Sequence, residues 1–354
     1  MSSLHRRIHL TRGPSYILAV LLAAVACGGR VGDREGARDD ELDVFTAGSL
    51  ARPVRAALDS FAPGTGVTPR QETAGSVELA RRITELHRIP DLLAVADAEL
   101  IPELLLPAHA AWYAVFAHDR LVLAYRPGSA VAARLAREPW YVVASAPEVE
   151  VGRSDPDLDP AGYRALLVMQ LAERHYARPG LAERLRARAP RRNVRPKSAD
   201  LVALVQAGEL DLAWLYASVA RANGLAVVAL PPAIDLGSPA DSAGYAMASV
   251  RIAGRTRGDT IVVRGRPIRF ALTVPLDAPH PERGAALAAF LLSPHGLALL
   301  AREGLEVSDV PMVVGTGVPS AVTAAVAGAA GHGAAGHGAA ESRTARPGAA
   351  EDTP

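Results

Sequence analysis

Short apolar segments alternate along the chain with longer segments in which apolar residues recur every three or four positions. The run 42–47 predicts a buried strand, and the apolar spacing over 50–61 predicts a helix directly after it. Further strands are predicted at 67–71, 92–96, 121–125, 149–152, 210–216 and 268–274, with a hairpin at 261–263. Further helices are predicted at 76–86, 162–176, 199–205, 282–292 and 294–303. This alternation predicts an α/β protein with a parallel sheet.

The predicted elements fall into two α/β units of similar size. Residues 42–124 and 268–318 are expected to form lobe I, residues 125–235 lobe II, and residues 236–267 a crossover with a hairpin. Ligands of open α/β sheets bind beyond the carboxyl ends of the strands, where helices begin. We therefore expect a ligand cleft between the two lobes.

The first 27 residues have the pattern of an export signal. Arginines precede an apolar run at 17–26, which is about half of the roughly 20 residues that a membrane-spanning helix needs. Cys27, the only cysteine, follows this run as in a bacterial lipoprotein box, so we expect it to be lipidated. Ala24 stands where such boxes usually have Leu, which leaves cleavage after Ala26 as the alternative. A single cysteine cannot form an internal disulfide.

Two further segments are not expected to belong to the fold. Residues 28–41 are rich in Gly, Arg and Asp and predict a flexible tether. Residues 319–354 are rich in Ala, Gly and His and predict a disordered tail. The expected location is the periplasm or the outer face of the cytoplasmic membrane, with a lipid anchor.

Composition and charge exclude several classes of protein. Hydrophobic residues make up 49% of the chain and charged residues 21%, so the chain can bury a sizeable core. Lys and Arg total 38 against 37 for Asp and Glu. That balance provides no basic face for nucleic acid.

Two near-identical turns lie at predicted strand-to-helix junctions. They are Ala47-Gly48-Ser49-Leu50 and Ala74-Gly75-Ser76-Val77. The amide groups of a helix start can bind an anion, and Ser adds a hydroxyl donor. The alternative is that each Ser only caps its helix. Neither turn is a P-loop or a Gly-x-Ser-x-Gly elbow, so an exported serine hydrolase is weakly supported and no enzyme is expected.

Several short segments, taken in order, carry a family resemblance. They are VFTAGSL (44–50), AGS (74–76), PDLLAVAD (90–97), LVLAYR (121–126), DPAGYR (159–164), GELD (208–211) and YASVA (216–220), with Trp112 and Phe116-Ala117 between them. This chain resembles the tungstate/molybdate-binding proteins of ABC importers, in the WtpA branch of the ModA-like family. The resemblance covers about residues 42–318.

The resemblance implies a type II-like periplasmic binding protein whose two lobes close over an oxyanion. It implies that Asp159 and Glu209 coordinate the metal centre of tungstate or molybdate. Ser49 and Ser76 would donate hydrogen bonds to the oxo groups, and Tyr216 would lie nearby. The implied partner is an ABC permease, the expected state is a monomer, and no cofactor is implied.

Carboxylates in an anion site need an explanation. A dianion about 5 Å from one carboxylate is repelled by roughly 6–7 kcal/mol at an effective dielectric constant of 20, and two carboxylates double this. Hydrogen bonds to a charged group, at roughly 1.5–3 kcal/mol each, barely offset that repulsion. The pair is useful only if the ligand has a hard metal centre that accepts extra oxygen ligands, which sulfur in sulfate does not.

Asp159 and Glu209 each have an ordinary alternative role. Asp159 precedes Pro160, and an Asp-Pro pair is a good helix start. Glu209 follows Gly208 and precedes a strand, where an exposed Glu is ordinary. The same fold could also bind another oxyanion, such as sulfate or phosphate.

Overall fold

The computed structural model describes residues 40–254 and 258–341, with side chains described as far as residue 331. The predicted signal peptide, Cys27 and nearly all of the predicted tether lie outside the described residues. The strands of the described chain are β1 (Glu41–Ala47), β2 (Thr68–Ala74), β3 (Leu92–Val95), β4 (Trp112–Asp119), β5 (Leu121–Tyr125), β6 (Val151–Ser154), β7 (Val194–Arg195), β8 (Leu212–Tyr216), β9 (Ala226–Val228), β10 (Ser249–Ala253), β11 (Thr260–Arg264), β12 (Ile268–Thr273) and β13 (Glu306–Gly315).

The helices follow the predicted segments closely and add several short ones. They are α1 (Ala51–Thr65), α2 (Ser76–Thr84), α3 (Ala130–Leu135), α4 (Trp140–Val143), α5 (Pro160–His175), α6 (Leu181–Ala187), α7 (Asp200–Ala207), α8 (Ala217–Ala222), α9 (Ser242–Tyr245), α10 (Pro281–Leu292), α11 (Pro294–Arg302) and α12 (Ser320–Glu341). Short 3-10 turns occupy Gly48–Leu50, Arg191–Asn193 and Pro239–Asp241, and a π turn occupies Ile101–Leu105.

Each of the two larger sheets forms the centre of one lobe. Lobe I is built on a six-stranded sheet in the order β13-β4-β12-β3-β1-β2, and lobe II on a five-stranded sheet in the order β7-β6-β8-β5-β9. Strand β1 runs parallel to β2 and β3, and β6 runs parallel to β8. Strand β12 is antiparallel to β3 and β4, and β5 is antiparallel to β8 and β9. Both sheets are therefore mixed, and the prediction of a parallel sheet is wrong for the strands that carry the chain between lobes. Those strands need no crossover helix, which only parallel neighbours require.

The core of lobe I is made by the amphipathic spacing that the sequence predicts. Helix α1 buries Val54, Ala57, Leu58 and Phe61, which lie three or four residues apart and form one apolar face. The helix ends at Gly66, whose φ of +68° is a left-handed conformation that Gly adopts without strain.

The chain passes from lobe I to lobe II through a single residue. Strand β4 ends at Asp119 and β5 begins at Leu121, so Arg120 alone makes the crossing. The predicted lobe boundary after residue 124 is wrong because β5 (Leu121–Tyr125) belongs to the sheet of lobe II, and the pattern within a strand does not show which sheet it joins. The returning chain lies alongside: the Leu121 N–H donates to the Asp235 carbonyl at 2.8 Å. These two segments are the hinge of the molecule.

A buried carboxylate lies in this hinge. Asp119 is 2% exposed, and its Oδ1 accepts hydrogen bonds from the backbone N–H groups of Arg120 at 2.8 Å and Ser218 at 3.3 Å. Burial raises the pKa of Asp119 to about 6, although its hydrogen bonds with Ser218 and Arg120 oppose the shift. The folded protein therefore holds this proton at pH values where the unfolded chain has released it.

We expect Asp119 to make the protein less stable as the pH rises through 4 to 6. The folded-state pKa lies above the unfolded value, so the free energy of unfolding falls with pH in that interval, by up to about 3 kcal/mol. Denaturant unfolding at pH 4, 5, 6 and 7 measures this for the wild type and Asp119→Asn. The variant is expected to lose this part of the pH dependence. Parallel curves for the two proteins would contradict the assignment.

The chain beyond lobe I departs from the prediction of disorder. Helix α12 packs against α10, and its Val322 and Ala329 are buried. The prediction of a disordered tail is wrong for residues 320–341 because Ala favours helix, and small side chains let two helices approach closely. Residues 342–354 lie outside the described chain.

Strands β10 and β11 form a separate two-stranded antiparallel sheet, with Ser249 opposite Arg264. This antiparallel pair corresponds to the hairpin predicted at 261–263 within the crossover region 236–267.

Among the described residues, no single helix is long and apolar enough to cross a membrane. Helices α10 and α11 reach that length only as a pair bent by 69°, and their apolar faces are buried in lobe I.

Candidate functional site

The two Gly-Ser turns leave the sheet of lobe I side by side. Strands β1 and β2 are parallel, with Ala47 opposite Ala74, so Ser49 and Ser76 follow at the same edge. Ser49 lies in the 3-10 turn before α1, and Ser76 is the first residue of α2. Both serines are buried. The carboxyl edge of the sheet therefore presents two hydroxyl groups to the contact with lobe II.

Neither serine acts as a helix cap. In the described chain, the N-cap residues of α1 and α2 are Leu50 and Gly75, and neither helix start has a side-chain cap hydrogen bond. The Ser49 Oγ has no hydrogen-bond partner among the described residues. The Ser76 Oγ accepts a hydrogen bond from the Ala96 N–H at 3.0 Å, which leaves its own proton available for donation. The capping alternative for the two turns is therefore wrong.

Gly75 touches the backbone of lobe II. The Leu158 carbonyl accepts hydrogen bonds from the N–H groups of Val77 at 3.1 Å and Glu78 at 3.2 Å. A Cβ added at Gly75 would lie 2.1 Å from this carbonyl oxygen. These amides are thus satisfied by lobe II, and the sequence-based expectation that they face an anion is wrong. Through these hydrogen bonds, the first turn of α2 instead holds lobe I against lobe II.

Gly48 makes a second contact between the lobes. A Cβ added there would lie 3.2 Å from Lys197 Cδ and 3.5 Å from Ala199 Cβ. Both Gly-Ser turns of lobe I therefore touch lobe II, one at residues 158–159 and the other at residues 197–199. The lobes are therefore closed on each other, and these two touching regions together form the closed contact.

Asp159 lies at this closed contact. It is 3% exposed and stands immediately before α5, but its side chain does not cap that helix. Its Oδ2 instead accepts a hydrogen bond from the Ser198 N–H at 2.8 Å. Burial raises the pKa of Asp159 above its usual value, although Ser154, Ser198 and the charge of Arg164 act in the opposite direction. The carboxylate is thus buried and hydrogen-bonded at a position where a ligand could contact it.

Glu209 lies elsewhere. It is exposed and follows Gly208, the residue that ends α7, so it precedes β8. Tyr216 lies at the other end of β8, and the five strand residues alone span about 13 Å. The structure does not bring Glu209 to the closed contact, and the predicted pair of carboxylates is not assembled. The alternative of an ordinary exposed Glu fits this position.

Tyr216 belongs to a buried network that joins the lobes. Arg164 of α5 donates to the Tyr216 hydroxyl and to the Ala96 carbonyl, both at 2.6 Å. Its other terminal nitrogen lies 3.1 Å from Asp97 Oδ1 in lobe I. Tyr163 donates to the second Asp97 oxygen. The charge of Arg164 is therefore neutralised by Asp97, and the Tyr216 hydroxyl keeps a proton to donate.

This network was not predicted from the sequence. Neither Asp97 nor Arg164 was among the predicted ligand residues, although Arg164 lies within the DPAGYR motif. One signal was available: Arg164 stands among apolar residues of a predicted helix, where a charge must be paired. Its partner, 67 positions upstream, has no such signal.

An open cleft lies next to the contact. It has a volume of about 380 Å³ and runs between α1 of lobe I and α7 and α8 of lobe II. Its polar lining consists of Ser49, Arg52, Gln206, Ser218, Asn223 and Glu303. Within the described residues, no three His, Cys, Asp or Glu side chains come together as a cation site. Of the predicted site residues, Ser49 lines this cleft, whereas Ser76, Asp159 and Tyr216 do not.

Comparison with known proteins identifies the family. The model of the family "Bacterial extracellular solute-binding protein" matches residues 42–306. A solute-binding protein of Petrotoga mobilis is 39% identical over 267 residues, which are 75% of this chain and 83% of that protein. The molybdate/tungstate-binding protein WtpA of Pyrococcus abyssi is 34% identical, over 79% of this chain and 88% of that protein.

The fold has counterparts among solved structures. The sulfate-binding protein SubI of Mycobacterium tuberculosis H37Rv has a TM-score of 0.51 and 14% identity, over 80% of this chain and 89% of that one. At this identity the likeness concerns the fold, which is that of a type II periplasmic binding protein, as predicted. The chain therefore belongs to the family of bacterial extracellular solute-binding proteins, the substrate-capturing components of transporters.

Proposed function

We propose that this protein captures tungstate or molybdate outside the cytoplasmic membrane and delivers it to an ABC permease. The observation that carries the proposal is the convergence of Ser49, Ser76 and Asp159 where the two lobes close. The ligand class is supported by the WtpA relatives, which are named as molybdate/tungstate-binding proteins. We also propose that Cys27 anchors the chain by a lipid, which the mass of the mature N-terminal residue tests.

The hydroxyl groups supply hydrogen bonds to the oxo groups. Ser49 Oγ is buried without a partner in the described chain, so a ligand oxygen satisfies it. Ser76 and Tyr216 each accept one hydrogen bond and retain one proton. Hydroxyl groups suit an oxyanion because they donate without adding charge.

Asp159 supplies an oxygen ligand to the metal centre. With Glu209 remote, the repulsion on a dianion about 5 Å away is that of one carboxylate, roughly 6–7 kcal/mol at an effective dielectric constant of 20. Coordination to hexavalent tungsten or molybdenum converts that repulsion into a bond. Sulfate has no centre that can accept the carboxylate and is expected to be rejected.

A second candidate ligand is hydrogen phosphate, and the position of Glu209 favours it. A single carboxylate at Asp159 can accept a hydrogen bond from the acidic hydroxyl of a protonated oxyanion. Sulfate lacks that proton near neutral pH, so this site would also reject sulfate. The two candidates differ in their response to phosphate and tungstate.

Isothermal calorimetry and thermal unfolding of the mature protein with four anions test the proposal. Tungstate and molybdate at 100 times their Kd are expected to raise the free energy of unfolding by about 2.7 kcal/mol. Sulfate and phosphate at equal concentration are expected to have no effect. Binding of phosphate alone would favour the second candidate. Binding of sulfate as strong as that of tungstate would remove the argument from Asp159.

The same samples address the hydrolase alternative. Ser49 has no hydrogen-bond partner in the described chain, and Ser76 Oγ accepts only from the Ala96 amide, so no base contacts either hydroxyl. A serine nucleophile needs a base within hydrogen-bond reach. A serine-directed covalent probe is therefore expected to label neither residue, and stoichiometric labelling would support the hydrolase.

A further inference from the structure

Lys197 is the only lysine of the chain. Lys and Arg together number 38, so the other 37 basic residues are all Arg. Six of these lie just upstream of Lys197, at Arg184, Arg186, Arg188, Arg191, Arg192 and Arg195. Lys differs from Arg in carrying a compact charge on a flexible stem with three rotatable donors. Lys197, the one Lys among these basic residues, lies at the contact between the lobes.

The stem of Lys197 lies across the contact. Its Cδ would be 3.2 Å from a Cβ at Gly48, the residue next to Ser49. The residue after it, Ser198, donates its N–H to Asp159. Lys197 thus lies between two of the residues assigned to the oxyanion, Ser49 and Asp159, and its side chain reaches from lobe II over lobe I.

The ammonium group of Lys197 is weakly engaged. Its nearest ion-pair partner is Asp200, with Nζ and Oδ1 3.5 Å apart, beyond the 2.7–3.2 Å of a good hydrogen bond. The side chain is 27% exposed, so the group borders solvent. Arg164, the buried cation of the same contact, is committed to Asp97. A dianion entering this site would therefore find Lys197 as a nearby cation that can turn towards it.

We infer that Lys197 is the latch of the site: its ammonium group binds the captured oxyanion and holds lobe II closed over the Gly48-Ser49 turn. This inference rests on the proposed function, since it names the residue that offsets the charge of that ligand. A flexible stem suits the task because the ammonium group can leave Asp200 when the ligand arrives. It also explains why an Arg, whose planar fork needs a fixed partner, does not stand here.

Substitution tests the charge of the latch. Lys197→Met keeps the stem and removes the charge, and we expect it to weaken tungstate binding about 10-fold, as for the loss of one charge-assisted hydrogen bond. Arg191→Met is the matched control because Arg191 is exposed, lies six residues away and carries the same charge. It is expected to leave the Kd unchanged. Far-UV circular dichroism and the Tm without ligand check that both variants fold.

Chemical labelling tests the position of the latch independently of substitution. A single lysine means that an N-hydroxysuccinimide ester modifies one side-chain amine, which peptide mass mapping separates from the N-terminus. We expect saturating molybdate to slow acylation of Lys197 at least about 10-fold, and sulfate at the same concentration to leave it unchanged.

The outcomes separate the latch from the proposed function. If wild-type protein binds neither tungstate nor molybdate by calorimetry, the proposed function fails and the latch fails with it. If wild-type protein binds, but Lys197→Met binds equally well and acylation continues at the same rate with ligand, the latch alone is wrong. Weaker binding by Arg191→Met as large as that of Lys197→Met would also overturn it, since the effect would then be one of net charge.

Discussion

Gly75→Ala is expected to weaken oxyanion binding by at least about 100-fold while leaving both lobes folded. The added Cβ would lie 2.1 Å from the Leu158 carbonyl oxygen, and neither backbone can move aside without parting the lobes. With the lobes apart, the ligand loses the donors of lobe II. Two hydrogen bonds to a charged ligand, at about 1.5–3 kcal/mol each, amount to a loss of roughly 100- to 10,000-fold in Kd.

The backbone of Gly75 makes this test specific to closure. Its φ of −68° and ψ of 146° are open to Ala, so the substitution strains no dihedral angle. Gly64→Ala is the matched control, because a Cβ there meets nothing within 4 Å. The control is expected to bind normally in calorimetry. Normal binding by Gly75→Ala would mean that the liganded state lacks the contact between Gly75 and Leu158.

Asp159→Asn is expected to weaken tungstate and molybdate binding by at least about 100-fold. Loss of a residue that only supports a metal ligand typically costs 10- to 100-fold, and Asp159 is assigned to the metal itself. The fold is expected to be kept, because the amide oxygen of Asn can still accept from the Ser198 N–H. Burial raises the pKa of Asp159, so its charged form destabilises the folded state, and the variant is expected to be at least as stable as the wild type without ligand at pH 7.

Glu209→Gln removes the same charge at an exposed position and is the control for this variant. Its tungstate Kd by calorimetry is expected to equal that of the wild type. A large loss in Glu209→Gln would restore the two-carboxylate site implied by the family resemblance and require a different closed arrangement. Unchanged tungstate binding by Asp159→Asn would exclude coordination by this carboxylate.

Much of the fold could be predicted because local pattern and tertiary structure agree. The strand predicted at 42–47 is β1 (Glu41–Ala47), and the helix predicted at 282–292 is α10 (Pro281–Leu292). Strand β4 was not predicted, although its apolar run at 112–117 is separated from β5 by the polar residues His118, Asp119 and Arg120. The predicted direction of the strands was wrong where the chain crosses between the lobes. The pattern of residues within a strand does not show which strand it pairs with.

The candidate site was predicted in part for a similar reason. Ser49, Ser76 and Asp159 follow strands at their carboxyl ends, where ligands of α/β sheets bind, and the structure brings them together. Glu209 precedes its strand, so the same rule argues against it; family resemblance alone selected it. The pair of Arg164 and Asp97 depends on how two lobes dock, which no local pattern reports.

The ion pair of Arg164 and Asp97 has a consequence for the cycle of capture and release. One partner belongs to each lobe, so every opening separates a buried cation from a buried anion. When the lobes open, water solvates both ions and largely compensates for the lost attraction between them. The pair therefore adds little to the free energy of closure. What it supplies is alignment: a lobe that returned shifted or rotated would bury two unmatched charges. The two lobes therefore close in a single relative orientation, with or without a bound oxyanion.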